Sequence, residues 1–326
     1  MQLPRRTFLH LAAGAVALPA VSRIASAQAY PARPVRMIVP FAPGGQNDAI
    51  GRLIAQKLSE NLGKQFIIEN VGGGGGTVGT GRAAQAAHDG YVLLVMDTGF
   101  VINPQVYPKV PYDPFKDFDP VSIAVTTTQV LTVTPSLPVQ TVKELVDFVK
   151  ANPGKYSYAS PGIGTPGHMT AELFRLSLGL ELVHVPFNGA GPAVQSTIGG
   201  HTPIAFGSPA SSVAQVQDGK LRGLAVASGK RLVALPDVPT MAQAGFPDID
   251  VEFWIGIFAP AGTPGDIVAL LNREIDKAVA LPDVRQRLDA LGFEPAAIKL
   301  AESAAKLRSE SEKWSKVVKA AGIKVE

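Results

Sequence analysis

The chain has 326 residues, 30 Lys plus Arg against 27 Asp plus Glu, and no cysteine, which excludes disulfides, thiolate metal sites and cysteine nucleophiles. Arg5, Arg6 and Arg23 lie in residues 1–27, which hold no acid, so removing that segment leaves 299 residues with 27 bases and 27 acids. A body with no net charge lacks the argument for a clustered basic face, and with it the argument for nucleic acid or an anionic membrane surface as partner.

The first segment reads as an address. Arg5-Arg6-Thr7-Phe8-Leu9-His10 is a twin-arginine start, Leu11 to Val21 is apolar, and Ala25-Ser26-Ala27 is a small-residue cleavage site. The apolar run is shorter than the ~20 residues of a spanning helix, which argues against a membrane anchor. We expect a twin-arginine signal peptide over residues 1–27, cut near Ala27, and a soluble mature chain in the periplasm; the general secretory route is the alternative. At this length the mature chain can bury a core without covalent staples.

From Val35 the sequence alternates between strand and helix. Val35–Val39, Phe66–Glu69 and Tyr91–Met96 read as buried strands, with helices at Asp48–Leu62 and Thr77–Ala87. The alternation resumes with a helix at Thr141–Ala151, a strand at Tyr156–Ala159, a helix at Gly167–Leu178, a strand at Leu182–Val185 and a helix at Gly191–Ile198. Strands at Ile204–Phe206 and Leu221–Ala227 follow, and from Gly262 onward the chain is mostly helical. Asn47 or Asp48 can cap the first helix, Thr263 with Pro264 starts another in cap-then-proline order, and Pro282 opens a third. This is the α/β pattern of mainly parallel sheets flanked by helices. Two long apolar runs, Ser122–Val133 and Val251–Ala259, contain no loop midway and read as strands crossing between two lobes. The expected lobes are 28–126 plus 253–326, and 127–252; a single doubly wound domain is the alternative.

Two stretches carry the chemistry. Met37-Ile38-Val39 runs into Pro43-Gly44-Gly45-Gln46-Asn47-Asp48, and Tyr156 to Ala159 runs into Ser160-Pro161-Gly162-Ile163-Gly164-Thr165-Pro166-Gly167. Each is a strand, a glycine loop and a helix start, where backbone N–H groups lack intrahelical partners and glycine lets an anion approach. Gly162-x-Gly164-x-x-Gly167 spells a dinucleotide fingerprint, but Pro166 interrupts it and the following strand ends in Pro186-Phe187-Asn188 without the ribose-binding acid, so no cofactor is expected. The smaller reading is a carboxylate held by Ser160, Gly164 and Thr165.

Gly72 to Gly76 reads as close packing of loop on loop more than as ligand contact, and Asp97 either caps the next helix or makes a contact of its own. His168, one residue past the second loop, either donates to a bound carboxylate or caps. His88, His168, His184 and His201 have no metal-ligand spacing. No G-x-S-x-G elbow exists and Ser160 has no evident base and acid, so a triad of Ser160, His168 and Asp97 is not favoured and the protein is not read as an enzyme.

The order of these fragments resembles the Bug family of periplasmic solute-binding proteins, the TctC-like receptors of tripartite tricarboxylate transporters. The similarity rests on Val39-Pro40-Phe41-Ala42-Pro43-Gly44-Gly45 with Asp48, Asn103-Pro104, Pro111-Tyr112-Asp113-Pro114, Pro153-Gly154-Lys155, the Tyr158–His168 loop, His184-Val185-Pro186-Phe187 with Gly189, and Leu235-Pro236-Asp237-Val238-Pro239-Thr240 with Ala244-Gly245. The resemblance implies a two-lobed, type II-like binding protein that acts as a monomer, closes over a small carboxylate and presents it to integral membrane transporter subunits. A sensory receptor docking on a membrane kinase is the alternative, and a cleft enzyme a weaker one. It carries the ligand-gripping role to Gly45, Gln46 and Asn47 and to Ser160, Gly164, Thr165 and His168. Phe41, Asn188 and Gly207 complete the candidate ligand-binding set. Many relatives have an aspartate where this chain has Gly207, and its absence favours an aliphatic dicarboxylate, an oxo-acid or an aromatic acid over an amino acid.

Overall fold

The chain threads strands and helices through two sheets in the order its hydrophobic pattern sets. The computed structural model describes residues 30–296 and 298–324, so the expected signal peptide at residues 1–27 lies outside the described residues. The first half-sheet is built from β1 (Val35–Val39), α1 (Gln46–Leu62), β2 (Phe66–Asn70), a 3-10 turn at Gly74–Gly76, α2 (Thr77–Ala84), β3 (Val92–Asp97) and α3 (Gly99–Val106). Next come β4 (Phe118–Thr127), β5 (Val130–Val133), α4 (Val142–Lys150), β6 (Tyr156–Ser160), α5 (Pro166–Ser177), β7 (Leu182–Pro186) and α6 (Ala190–Ile198). The chain continues through β8 (Ile204–Gly207), α7 (Pro209–Gln217), β9 (Arg222–Val226), β10 (Phe253–Pro260), α8 (Gly265–Ala280), α9 (Pro282–Ala290), β11 (Phe293–Pro295) and α10 (Leu300–Ala321).

Among the described residues these strands form two sheets, ordered β11-β4-β10-β3-β1-β2 and β7-β6-β8-β5-β9. The expectation of mainly parallel sheets holds only where a helix connects successive strands: β1 is parallel to β2 and β3, and β6 to β7 and β8. Strands that carry the chain between the sheets run the other way, β10 against β3 and β4, and β5 against β8 and β9, so both sheets are mixed. From Arg33 onward the chain forms one compact unit. No described helix is long and apolar enough to cross a membrane.

Local expectations change at several points. The run Ser122–Val133 breaks at Thr128 and Gln129, because the chain leaves one ladder there and enters the other. Its polar groups turn to the return strand: Thr128 Oγ1 donates to the Ala227 carbonyl at 2.7 Å, and the Ala227 N–H donates to the Gln129 carbonyl at 2.8 Å. Val251 likewise gives its N–H to the Ala227 carbonyl and stands before β10 rather than in it. The first helix is capped by Gly45, not by Asn47 or Asp48, and α8 follows Pro264 directly while Thr263 Oγ1 donates back to the Pro260 carbonyl. Phe293–Pro295 adds a short edge strand beside β4 in the otherwise helical C-terminal part.

The core is continuous between the sheets. Leu131, Phe206 and Met169 from the second sheet and its helix share one buried cluster with Ile102 of α3, Phe253 of β10 and Trp314 of α10. A second cluster joins Phe100, Phe118 and Phe258, with the Phe100 and Phe258 rings 4.4 Å apart. Trp314 is 1% exposed, stacks on Phe253 at 5.0 Å and donates its indole N–H to Glu310. Truncating such a side chain leaves a cavity that its neighbours cannot fill. Trp314→Ala should therefore lower the unfolding free energy by about 3–5 kcal/mol in urea titration, and a loss under about 1 kcal/mol would show that α10 contributes little to the common core.

Candidate functional site

The first glycine loop leaves the buried end of β1 and turns into α1 at Gly45. Gly45 caps by extended backbone (φ −93, ψ 178) with no side-chain bond, so the first-turn N–H groups of α1 stay without intrahelical partners. Asp48 braces the loop from behind. Its Oδ2 accepts from the Gly44 N–H at 3.1 Å and Arg52 Nε at 3.0 Å, and its Oδ1 accepts from Asn70 Nδ2 at 3.0 Å. Burial works to raise the Asp48 pKa, but these hydrogen bonds and the Arg52 charge hold it below the usual carboxylate range.

Asp97, at the end of β3, does both things expected of it in the alternative. Its Oδ1 accepts from the Gly99 N–H at 2.9 Å, at the start of α3, and its Oδ2 accepts from Gln46 Nε2 at 2.9 Å and Asn47 Nδ2 at 3.2 Å. Burial pushes the Asp97 carboxyl up from its ordinary pKa, against the pull of those three donors. The triad considered from sequence does not assemble: Asp97 belongs to this cluster, while Ser160 Oγ pairs with His184 Nε2 at 2.6 Å rather than with His168.

The second loop spends its polar groups on itself. The Gly164 N–H donates to His168 Nδ1 at 3.1 Å, Thr165 Oγ1 donates to the Gly162 carbonyl at 2.6 Å, and Ser160 Oγ accepts from the Gly162 N–H at 3.2 Å. The His168 and His184 rings stack at 4.1 Å, and His184 lies against Tyr158 at 4.8 Å. Tyr158 in turn donates to Glu172 at 2.6 Å, which Arg175 holds by two nitrogens. Desolvation, with the Arg175 charge adding to it, lowers His168 to about 4; desolvation and the neighbouring His168 lower His184 to about 3. Both imidazoles are thus neutral at neutral pH, as the Gly164-to-His168 bond requires.

A cleft, open to solvent on one side, lies between the loops. Of the candidate residues, Phe41, Gly45, Gln46, Asn47 and Thr165 line it. Ser160, Gly164 and His168 lie in the scaffold of the second loop, and they, Asn188 and Gly207 are not among its lining residues. Sequence reasoning missed Gln129, Pro161, Pro166, Gly167, Ala190 and Ser208, and left Asp97 undecided. Ala190 was within reach, because Pro186-Phe187-Asn188-Gly189-Ala190 is the same strand-glycine-helix unit as the other two. Ser208-Pro209 is a cap followed by an N1 proline. Gln129 has no local signal and arrives only through the break between β4 and β5.

Four helices start at the cavity: α1 after Gly45, α5 after Thr165, α6 after Gly189 and α7 after Ser208. Their partial positive ends converge where no Lys or Arg is among the lining residues. The arrangement suits an anion recognised by N–H groups and dipoles. The rim is closed by main chain: Gly75, at φ +60, has no room for a Cβ against the Ile163 carbonyl, which Tyr107 Oη also meets at 3.2 Å. This is the loop-on-loop packing expected of Gly72 to Gly76.

Similarity to known proteins gives the family and the fold. Residues 50–323 match the model of the tripartite tricarboxylate transporter family receptor, TctC. The chain is 40% identical over 291 residues to the UPF0065 protein in the tcbD-tcbE intergenic region of Pseudomonas sp. (strain P51), covering 89% of this chain and 87% of that one. The solved periplasmic binding protein BugD is 34% identical, with a TM-score of 0.87 over 91% of this chain and 100% of its own. An R. palustris protein solved with adipate is also 34% identical, with a TM-score of 0.87 over 90% and 99%. MatC from Rhodopseudomonas palustris, with bound malate, is 33% identical with a TM-score of 0.84 over 89% and 100%.

The histidine pair gives the fold a pH dependence of definite sign. The unfolded chain protonates each imidazole near 6.5, the folded one near 4 for His168 and 3 for His184, so below about pH 6.5 the unfolded state holds more protons. The thermal midpoint should fall as pH drops from about 7 to 4. Exchanging His168→Gln, whose amide oxygen can accept the Gly164 N–H without titrating, should flatten that slope; an unchanged slope in the variant would remove His168 from the account.

Proposed function

The chain belongs to the tripartite tricarboxylate transporter receptor family, and from that membership we propose that it captures a small carboxylate between its two sheets and delivers it to a membrane transporter. The family and its solved relatives are receptors and periplasmic binding proteins, two of them holding adipate and malate. The observation that carries the reading to this chain is the convergence of four helix N-termini on one cavity whose lining residues include no basic side chain. An anion there is held by backbone N–H groups at no cost in pairing a buried charge.

In this reading residues 28–126 with 253–326 form one lobe and 127–252 the other, and the glycine rim is where they meet on closing. The grip comes from the free first-turn N–H groups of Gln46 and Asn47 on one side and of Gly167 on the other. Ser160, Gly164 and His168 set the shape of the second loop and act on the ligand through it. The ligand has two acidic ends or one, with an aliphatic, oxo or aromatic body. A signal peptide over residues 1–27, cut near Ala27, takes the monomer to the periplasm, and the site binds without turnover.

A thermal-shift screen of the purified mature chain with aliphatic, aromatic, oxo- and amino-acids tests the reading directly. At least one carboxylate without an amino group should raise the midpoint reversibly and remain chemically unchanged after incubation; neutral sugars and amines should not. Stabilisation by none of the acids, or their conversion to product, would overturn it.

Gly45→Val tests the grip. The backbone there (φ −93) accepts a side chain, and a Cβ would stand 3.4 Å from Ala190 at the cavity wall. Affinity for the best acid in the screen should fall by about tenfold or more in calorimetry while circular dichroism stays that of the parent. Equal affinity in parent and variant would place the anion elsewhere.

A further inference from the structure

The helix after β3 presents a stripe of residues to the second loop. Gly99, Asn103 and Tyr107 stand four positions apart, along α3 and its C-cap, so they share one face. A Cβ at Gly99 would lie 3.3 Å from the Gly164 carbonyl oxygen, one at Gly164 would run into Asn103 Oδ1, and Tyr107 Oη donates to the Ile163 carbonyl at 3.2 Å. Asn103 Nδ2 donates to the Gly75 carbonyl at 2.9 Å, which fixes the glycine turn to the same helix. A Cβ at Gly75 would meet both the Ile163 carbonyl and Tyr107 Oη, so glycine there is what lets the phenol reach across. The Ile163 carbonyl accepts no main-chain hydrogen bond among the described loop contacts, and the Tyr107 hydroxyl supplies its donor. Elsewhere, residues 28–126 with 253–326 are joined to 127–252 along the crossing strands, where Thr127 Oγ1 donates to the Gly292 carbonyl, and by the Lys230–Glu294 pair, which is too exposed to hold much.

Building on the reading of two lobes that close over a ligand, we propose that Tyr107 is a closing latch: its hydroxyl, on the first lobe, holds the Ile163 carbonyl of the second only while the glycine rim is in contact. It is a positioning residue and not a ligand contact, since Asn103, Tyr107 and Ile163 are not among the residues that line the cleft. The phenol stays a donor throughout the neutral range, because burial pushes its pKa up to about 12. When the loops part, hydroxyl and carbonyl both return to water, so the net worth of the bond is modest and falls wholly on the closed state. A ligand held only in that state gains the same factor whatever its chemistry, and its release begins with the breaking of the latch.

Tyr107→Phe keeps the ring and its packing and removes the donor. In stopped-flow displacement with the mature chain, each acid that binds in the thermal-shift screen should leave the variant about two- to tenfold faster than the parent. The ratio of affinities between any two acids should stay within about twofold of the parent's, because the latch and the ligand share no contact. The chain has no cysteine, so Val78→Cys in one lobe and Val183→Cys in the other, both at exposed positions, accept a pair of spin labels. Without ligand, their distance distribution should extend to longer separations when Tyr107→Phe is added. A change confined to the thermal midpoint, with equal dissociation rates and equal distances, would make Tyr107 a packing residue and overturn the latch while leaving carboxylate binding standing. A shifted ratio between acids would overturn it in favour of direct contact with the ligand. If no acid binds, the carboxylate reading fails and the distances alone decide: longer separations in the variant support the latch, and identical ones overturn it.

Discussion

Main chain meets main chain where the turn at Gly74–Gly76 abuts the loop after β6, and the rest of the site depends on that contact. Gly75 faces the Ile163 carbonyl with no space for a Cβ, a Cβ at Gly162 would lie 3.2 Å from the Gly75 Cα, and one at Gly164 would run into Asn103 Oδ1. These approaches bring the ends of two sheets together closely enough for helices from both to share one cavity. Any side chain at the rim would hold the loops apart by a methyl group or more, and the N–H groups would no longer converge. The glycines act here as spacers of zero thickness as much as flexible residues.

That proximity sets the electrostatics. Helix ends deliver fractional positive charge without the desolvation that a buried lysine or arginine would require. Asp97 adds a buried carboxylate to the same wall, and its pKa is pushed up because burial outweighs the donors that hold it. The two loops divide the work unequally. The first presents its side chains to the cavity, whereas the second ties Gly164, Ser160 and Thr165 into internal bonds backed by His168, His184, Tyr158 and Glu172. A loop so tied is preorganised, and its contribution to binding comes as shape and as the free N–H groups at the head of α5.

Much of this was legible before any coordinates. The alternation of strands and helices and the two glycine loops follow from local pattern, since each depends on residues within about one turn or one strand of one another. Local pattern also placed Gln46 and Asn47 at a helix start, where their N–H groups lack intrahelical partners. It went astray where a residue's partner is distant in sequence. Ser160 finds His184, a strand away; Gln129 reaches the cavity because the chain changes sheets there.

The amino-acid sequence by itself determined which segments become strands and helices, where glycine permits a tight strand-to-helix turn, and that no cysteine chemistry is available. These are properties of short stretches and of composition, and sterics and burial fix them locally. Only the tertiary structure decided which polar atoms are spent inside the protein and which are left over. Gln46 and Asn47 read from sequence as donors of backbone N–H, yet their side chains turn to Asp97, about 50 positions away, and leave two buried oxygens unmet. Hydrogen bonding is settled pair by pair in space, so which polar atoms find partners is written in the fold and not in the order of residues.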